Sequence, residues 1–390
     1  MSTRTTAAAL ASAVATTLAA HAAIAQDIKI GVLPPFTGPF AAIGQNVKTA
    51  LDMRASELNA AGGILGRKIV LVYEDGESNP ATATQRAEKL FQVDKVDFLT
   101  GTVHSGVTIA VGQVAERNNR LMATTVSFSN AITGDRCSPN VFRVNPSAGM
   151  QASALALWAA DFKKGAKIYY LGPDYEMGRS TIAEFKKQAE ALGATTAGEV
   201  YAPLGAKDYS QFFGQMRAAR PDVLYIATGG TDSVRLLSQL KEYGLTNMKL
   251  VGNSAAVTTE NLDAMGTAAE GFVTPGNYST LADTAANKSF VAKFKAAAKI
   301  DPNLYAADSY TVLDFYKAAA EKAGSIDTDK LREAMRGLTW DGVVGKKTMR
   351  AGDHQAIQDM FALELRGKTY HPTAKVDGEK AVGPDTCTKW

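Results

Sequence analysis

Two cysteines and four histidines, one of them (His21) within the first 25 residues, leave this 390-residue chain little for thiol or metal chemistry. There is no HExxH and no paired HxH, so a zinc site has no visible ligand set. GxSxG is also missing, and the segments GGILG and ATGGTD are too short and wrongly placed for a dinucleotide fingerprint or a Walker loop. Asp174 and Glu176 are paired carboxylates in sequence only and read as a solvated loop rim. With no nucleophile, acid–base pair or cofactor loop in place, the expectation is a binding protein that is not an enzyme and holds no cofactor or metal.

Charge is scarce in the net: Lys and Arg exceed Asp and Glu by only three. That near-balance argues against nucleic acid or an anionic membrane as partner. Long apolar runs are lacking as well, apart from the first 25 residues, MSTRTTAAALASAVATTLAAHAAIA. Arg4, an Ala/Leu/Val/Thr stretch and the small triplet Ala23, Ile24, Ala25 make a signal peptide pattern, with cleavage expected before Gln26. Its removal takes the formal charge from +3 to +2. No Cys lies near that point, so a free periplasmic protein is expected rather than a lipid-anchored one. In an oxidising compartment the pair Cys137 and Cys387 is expected to form one long-range disulfide.

What the sequence does have is rhythm. IKIGVL (28–33), a helical pattern to about Asn59, KIVLVYED (68–75), a second helix to Gln92, VDFLTG and LMATTV alternate strand with helix. This alternation implies parallel sheets covered on both faces. The same rhythm restarts near Pro146, and about 365 mature residues favour two domains. GFVTPGNYS, around Pro275, reads as a return crossing, and helices from Lys288 to Arg336 then need a sheet to cover. The expected division is lobe 1 over 26–146 and 276–350, and lobe 2 over 147–275 and 351–390 with the C-terminal tail. The third crossing falls between Gly345 and Gln358.

Several motifs, in order, carry a resemblance: PPFTGP after the first strand, AGGILG, YEDGESNP, GTVHSGVT, ITGDRCSPNVFRV, GPDYEMGRS, AAEGFVT and the segment Tyr305–Leu313. Each alone is weak; together, behind a signal peptide, they resemble the leucine/isoleucine/valine-binding family of ABC-transporter periplasmic receptors across nearly all of the mature chain. The resemblance implies the type I periplasmic binding protein fold, an α/β architecture of two Rossmann-like lobes joined by a three-crossing hinge that closes on a ligand. It also implies an ABC-transporter membrane permease as partner and a monomeric receptor. A sensor of the same fold is the alternative, disfavoured because no membrane span or signalling domain follows Trp390.

In doubly wound sheets the ligand lies beyond the carboxyl ends of the strands. In lobe 1 this selects the loops 34–44, 101–108 and 125–131. In GTVHSG a helix opens, so backbone N–H groups, the helix dipole and the Ser105 hydroxyl would converge on an anion; the alternative for Ser105 is a plain helix cap. In the family, the serine at this position and groups of the next loop hold the ligand carboxylate, and here that loop offers Ser127 or Ser129. The amino-acid binders also carry acids for the ligand ammonium, because a buried cation without a counter-charge is costly. The resemblance puts Ser254 and Met150 at those places, which points to a carboxylic acid without an α-amino group. Apolar walls are then expected from Phe40, Phe128, Tyr175, Met177, Tyr278 and Tyr305. His104 either donates to a ligand oxygen or points back into the lobe. A benzoate or cinnamate derivative fits this set, with branched-chain amino acids or aliphatic and keto acids as the alternative.

Overall fold

A computed structural model describes residues 26–343 and 345–389; the expected signal peptide lies outside the described residues. The first half of the molecule begins β1 (Ile28–Val32), α1 (Ala41–Ala60), β2 (Ile69–Tyr73), α2 (Pro80–Gln92), β3 (Phe98–Thr100), α3 (Ser105–Arg117), β4 (Leu121–Thr124) and β5 (Val141–Arg143). These strands form one parallel sheet in the order β2-β1-β3-β4-β5. β3, β4 and β5 are buried along their whole length, whereas β2 is partly exposed at the sheet edge. That is what apolar runs at the centre of a sheet covered on both faces require.

The second half runs α4 (Ala148–Phe162), β6 (Lys167–Pro173), α5 (Glu176–Ala191), β7 (Thr195–Ala202), α6 (Ser210–Ala219), β8 (Val223–Ile226), α7 (Gly230–Glu242), β9 (Lys249–Gly252), α8 (Leu262–Met265) and β10 (Val273–Gly276). The chain then returns to the first half as α9 (Ala285–Ala298), α10 (Leu304–Ala323) and α11 (Thr328–Met335), with α9 and α10 packed on α1. A small antiparallel sheet follows, built from β11 (Thr339–Gly342), β12 (Gly345–Met349) and β13 (Ala356–Ile357). Finally β14 (Met360–Arg366), β15 (Thr369–Val376) and α12 (Gly378–Ala381) join the second half.

The second sheet has the order β15-β14-β10-β9-β8-β6-β7. Its strands β6 to β10 are parallel, but β14 and β15 run antiparallel at one edge. The parallel sheets expected from the strand–helix alternation are present, with this antiparallel edge pair added to the second. The exception arises because β14 and β15 are joined by the two residues Gly367 and Lys368, with Gly367 at φ +61°; so short a link can only make a hairpin.

The chain passes between the halves at Val144–Ser147, at Asn277–Ser279 and at Gln355–Gln358. One buried polar cluster ties the three passages. Lys347 Nζ pairs with Asp308 and donates to the Val144 carbonyl at 3.1 Å. Asn277 Nδ2 donates to the Asp308 carboxylate and, at 2.8 Å, to Gln358 Oε1, while Gln358 Nε2 donates back to the Val144 carbonyl at 3.2 Å. Residues 351–357, expected with the second lobe, instead stay with the first: β13 pairs with β12, and Arg143 pairs with Gln355. The tail also returns, because the Cys137–Cys387 disulfide binds it to the loop before β5.

Candidate functional site

The first sheet reverses its strand order between β1 and β3, and the second between β6 and β8. Such switch points open a crevice at the carboxyl ends of the strands. The loops leaving these four strands carry Phe40, His104, Tyr175 and Gly229, and the structure brings them together with the halves closed on one another.

The turn after β3 needs Gly101, whose φ is +92° and where an added Cβ would lie 2.9 Å from Val32. Three residues later His104, not Ser105, caps α3: its Nδ1 accepts from the Val107 amide at 3.3 Å. The plain-cap reading of Ser105 therefore gives way to His104. Burial pulls the His104 pKa down to about 4, so the ring is neutral; with Nδ1 accepting, Nε2 carries the proton and is a donor. Ser105 is the first helical residue and buried, and its Oγ accepts from the Ser129 amide at 3.3 Å. The helix end keeps the positive end of its dipole at this point.

Ser127 and Ser129 have different surroundings. The Ser127 hydroxyl lies 2.5 Å from Thr108 Oγ1 and donates to the Val103 carbonyl at 2.9 Å, knitting two loops of the first half. Ser129 Oγ donates across the lobe boundary to Glu176 Oε1 at 2.5 Å. Arg143, fully buried, holds the Ser129 carbonyl at 2.5 Å and fixes this loop. Glu176 was expected on a solvated rim; it is the first residue of α5, half-buried and engaged.

The wall is aromatic. His104 stacks on Tyr175 with centroids 4.3 Å apart, and Phe40 lies 6.5 Å from Tyr175. Phe40 presses on Gly229 and Gly230 at the start of α7, where a Cβ on Gly229 would sit 3.1 Å from its ring. The Thr231 amide donates to the Pro39 carbonyl at 3.3 Å in the same contact. Phe40, Phe128, Met177, Tyr278 and Tyr305 belong to one continuous buried cluster with Tyr175 against it. Phe128 also accepts, through its carbonyl, from the Ala148 amide at the first passage. Met177 Sδ receives a contact from Asn253 Nδ2 at 3.3 Å.

Ser254 completes the lobe boundary, its Oγ lying 3.0 Å from the Tyr305 hydroxyl. It borders a narrow recess that Tyr278, Asn303 and Tyr370 also line. Met150 does not join this group. It packs in a separate small core with Met360, Val376 and Ala381, because its place on α4 faces β14 and the C-terminal helix. The argument that an ammonium partner is lost therefore rests on Ser254 alone.

Two further residues stand at the boundary without having been singled out. Gln151, 2% exposed, accepts at Oε1 from the Ser254 amide at 3.1 Å. A lone long polar side chain in the apolar run AGMQASALALW was the available signal. Glu260 Oε2 accepts from Asn303 Nδ2 of the first half at 2.8 Å, and burial pushes its carboxyl up. Among the described residues no group of His, Cys, Asp or Glu could hold a metal ion, and no helix is long and apolar enough to cross a membrane.

Two doubly wound halves, three passages and a closed crevice lined from each side define a bilobal binding protein. The periplasmic binding protein family model matches residues 27–369, and the chain belongs to that family. It is a solute-binding protein of an ABC transporter, of the leucine/isoleucine/valine-binding type. The Leu/Ile/Val-binding protein BraC3 of Rhizobium johnstonii is 30% identical over 89% of this chain and 93% of its own length. The Leu/Ile/Val-binding protein homolog 3 of Brucella melitensis is 29% identical over 81% and 84%. Among solved structures, an R. palustris ABC-transporter solute-binding protein in complex with benzoate superposes with a TM-score of 0.84 at 25% identity, covering 90% of this chain and 97% of that one. A second, from Rhodopseudomonas palustris in complex with 3,4-dihydroxybenzoic acid, gives 0.83 at 26% identity, covering 90% and 98%.

Proposed function

We propose that this protein binds a small carboxylic acid with an aromatic body, of benzoate or cinnamate type, by hinge closure, and delivers it as a monomer to the permease of its importer. Residues 1–25 would direct export and be removed. The observation that carries this reading is a convergence at one point of the lobe boundary. There the dipole end of α3 with Ser105 meets the rings of His104, Tyr175 and Phe40. The helix end supplies favourable charge for a carboxylate without a cationic side chain, and the neutral imidazole adds a donor. The rings supply flat apolar surface from the two halves, so an aromatic acid favours closure. Ser254 in place of an acid supports a ligand without an ammonium group, and the two neighbours holding benzoates agree with it.

A second reading, a branched-chain amino acid, draws on Glu176 and Glu260 at the boundary and on the relatives named for leucine, isoleucine and valine. A thermal-shift screen separates them. At about 100 Kd a ligand adds roughly 2.7 kcal/mol to the folded state; benzoates or cinnamates are expected to do so and leucine, isoleucine and valine are not. The reverse pattern would overturn the proposal.

A further inference from the structure

Gln151 sits in the first turns of α4, 2% exposed, on the second-half side of the lobe boundary. Its amide cannot be turned over, because the Ser254 N–H needs an acceptor and finds Oε1 at 3.1 Å. Nε2 is therefore the free end, and it has no hydrogen-bond partner in the protein. A second buried polar group beside the same serine is also unmatched: the Tyr278 hydroxyl, on a residue 4% exposed that lines the recess with Ser254. The Ser254 hydroxyl itself is bonded to Tyr305 of the first half, so this corner is assembled from the two halves.

Buried polar groups are normally paired, and an unpaired donor weakens the state that contains it. Resting on the carboxylate reading above, we infer that Gln151 is a specificity-determining residue: its Nε2 donates to a second oxygen on the ligand, remote from the carboxylate. The ligand class is then a hydroxylated or keto carboxylic acid rather than a plain hydrocarbon acid. Ser105 selects the acid group, Gln151 with Tyr278 selects the distal oxygen, and the aromatic wall accepts the body between them.

The test is calorimetric titration of the mature protein with matched acids. Benzoate is compared with 3- and 4-hydroxybenzoate, and pentanoate with 4-oxopentanoate. At least one oxygenated acid is expected to bind roughly five- to a hundredfold more tightly than its parent, the range that leaving a buried group unpaired implies. Gln151→Glu keeps an oxygen for the Ser254 amide but replaces the donor by an acceptor. It is expected to bring that ratio to about one or below, the parent acid being titrated alongside so that the ratio and not the absolute affinity is read. If Gln151→Glu does not fold, as judged by thermal melting, Gln151→Met is read for the same ratio. An unchanged ratio overturns the inference and means that buried solvent satisfies Nε2. Binding of the parent acids without any preference for oxygenated ones overturns this inference alone, whereas failure of every acid to bind overturns the carboxylate reading with it.

Discussion

The imidazole of His104 lies against the phenol ring of Tyr175, centroids 4.3 Å apart and planes 20° apart, one ring from each half of the molecule. The contact exists only when the halves are closed, so its free energy adds to closure rather than to either half. An aromatic pair contributes about 0.5–1.5 kcal/mol beyond its buried area. Tyr175→Ala is expected to weaken ligand binding by at least several-fold in calorimetry while changing the ligand-free melting temperature little. Unaltered affinity would mean that the stack plays no part in closure.

Two buried histidines give stability a defined pH dependence. Burial pulls His104 and His354 from 6.5 down to about 4. Between those values the unfolded chain binds protons that the folded chain does not, so stability present in full above about 6.5 is lost as pH falls toward 4. Asp232 and Asp308, whose carboxyls burial pushes up, act in the opposite sense, adding stability as pH falls through their raised values. Urea unfolding at pH 7 and pH 5 should therefore show a smaller loss for His104→Asn, which keeps a capping acceptor, than for the wild type. Equal losses would contradict the neutral, buried state of His104.

At the hinge, the Lys347–Asp308 pair is 5% and 2% exposed and has its remaining contacts with Val144 and Asn277. Removing one partner leaves an uncompensated buried charge, which costs roughly 3–5 kcal/mol. Lys347→Met is expected to lose that much in chemical denaturation. The double variant Lys347→Met with Asp308→Leu should recover much of it. A loss in the double variant equal to the sum of the single ones would show that the pair is not coupled.

The disulfide closes a loop with a sequence separation of 250 between Cys137 and Cys387. In the chain-entropy account so long a loop stabilises by on the order of 5 kcal/mol. Reductant, or Cys387→Ser, is expected to lower the melting temperature markedly. Alkylation of the native protein without reductant should label no thiol; labelling of both cysteines would contradict the bond.

Much of this organisation is legible along the chain because its causes are local. The strand–helix alternation gives the sheets, and Gly101 with the GTVHSG turn places Ser105 at a helix start. What is not legible depends on side-chain direction across the fold. Met150 and Gln151 are neighbours on α4, yet about 100° of helical turn sends one to the C-terminal core and the other to Ser254. Glu176 reads as surface because its partner Ser129 is supplied by the other half. Lys347 and Asp308 are not marked out along the chain, since nothing local indicates that three passages will converge on them. The β14–β15 hairpin escapes notice because Gly367–Lys368 is a weaker turn signal than Asn-Gly or Asp-Gly.

The most direct measurement is calorimetric titration of the mature protein and of Ser105→Ala with benzoate, hydroxybenzoates, cinnamate, leucine, isoleucine and valine. The account predicts that at least one aromatic acid binds, that the three amino acids do not, and that Ser105→Ala weakens the acid by roughly tenfold or more, as expected for a charge-assisted hydrogen bond. Tight binding of leucine, isoleucine or valine with no response to any aromatic acid, or full affinity retained in Ser105→Ala, would contradict it.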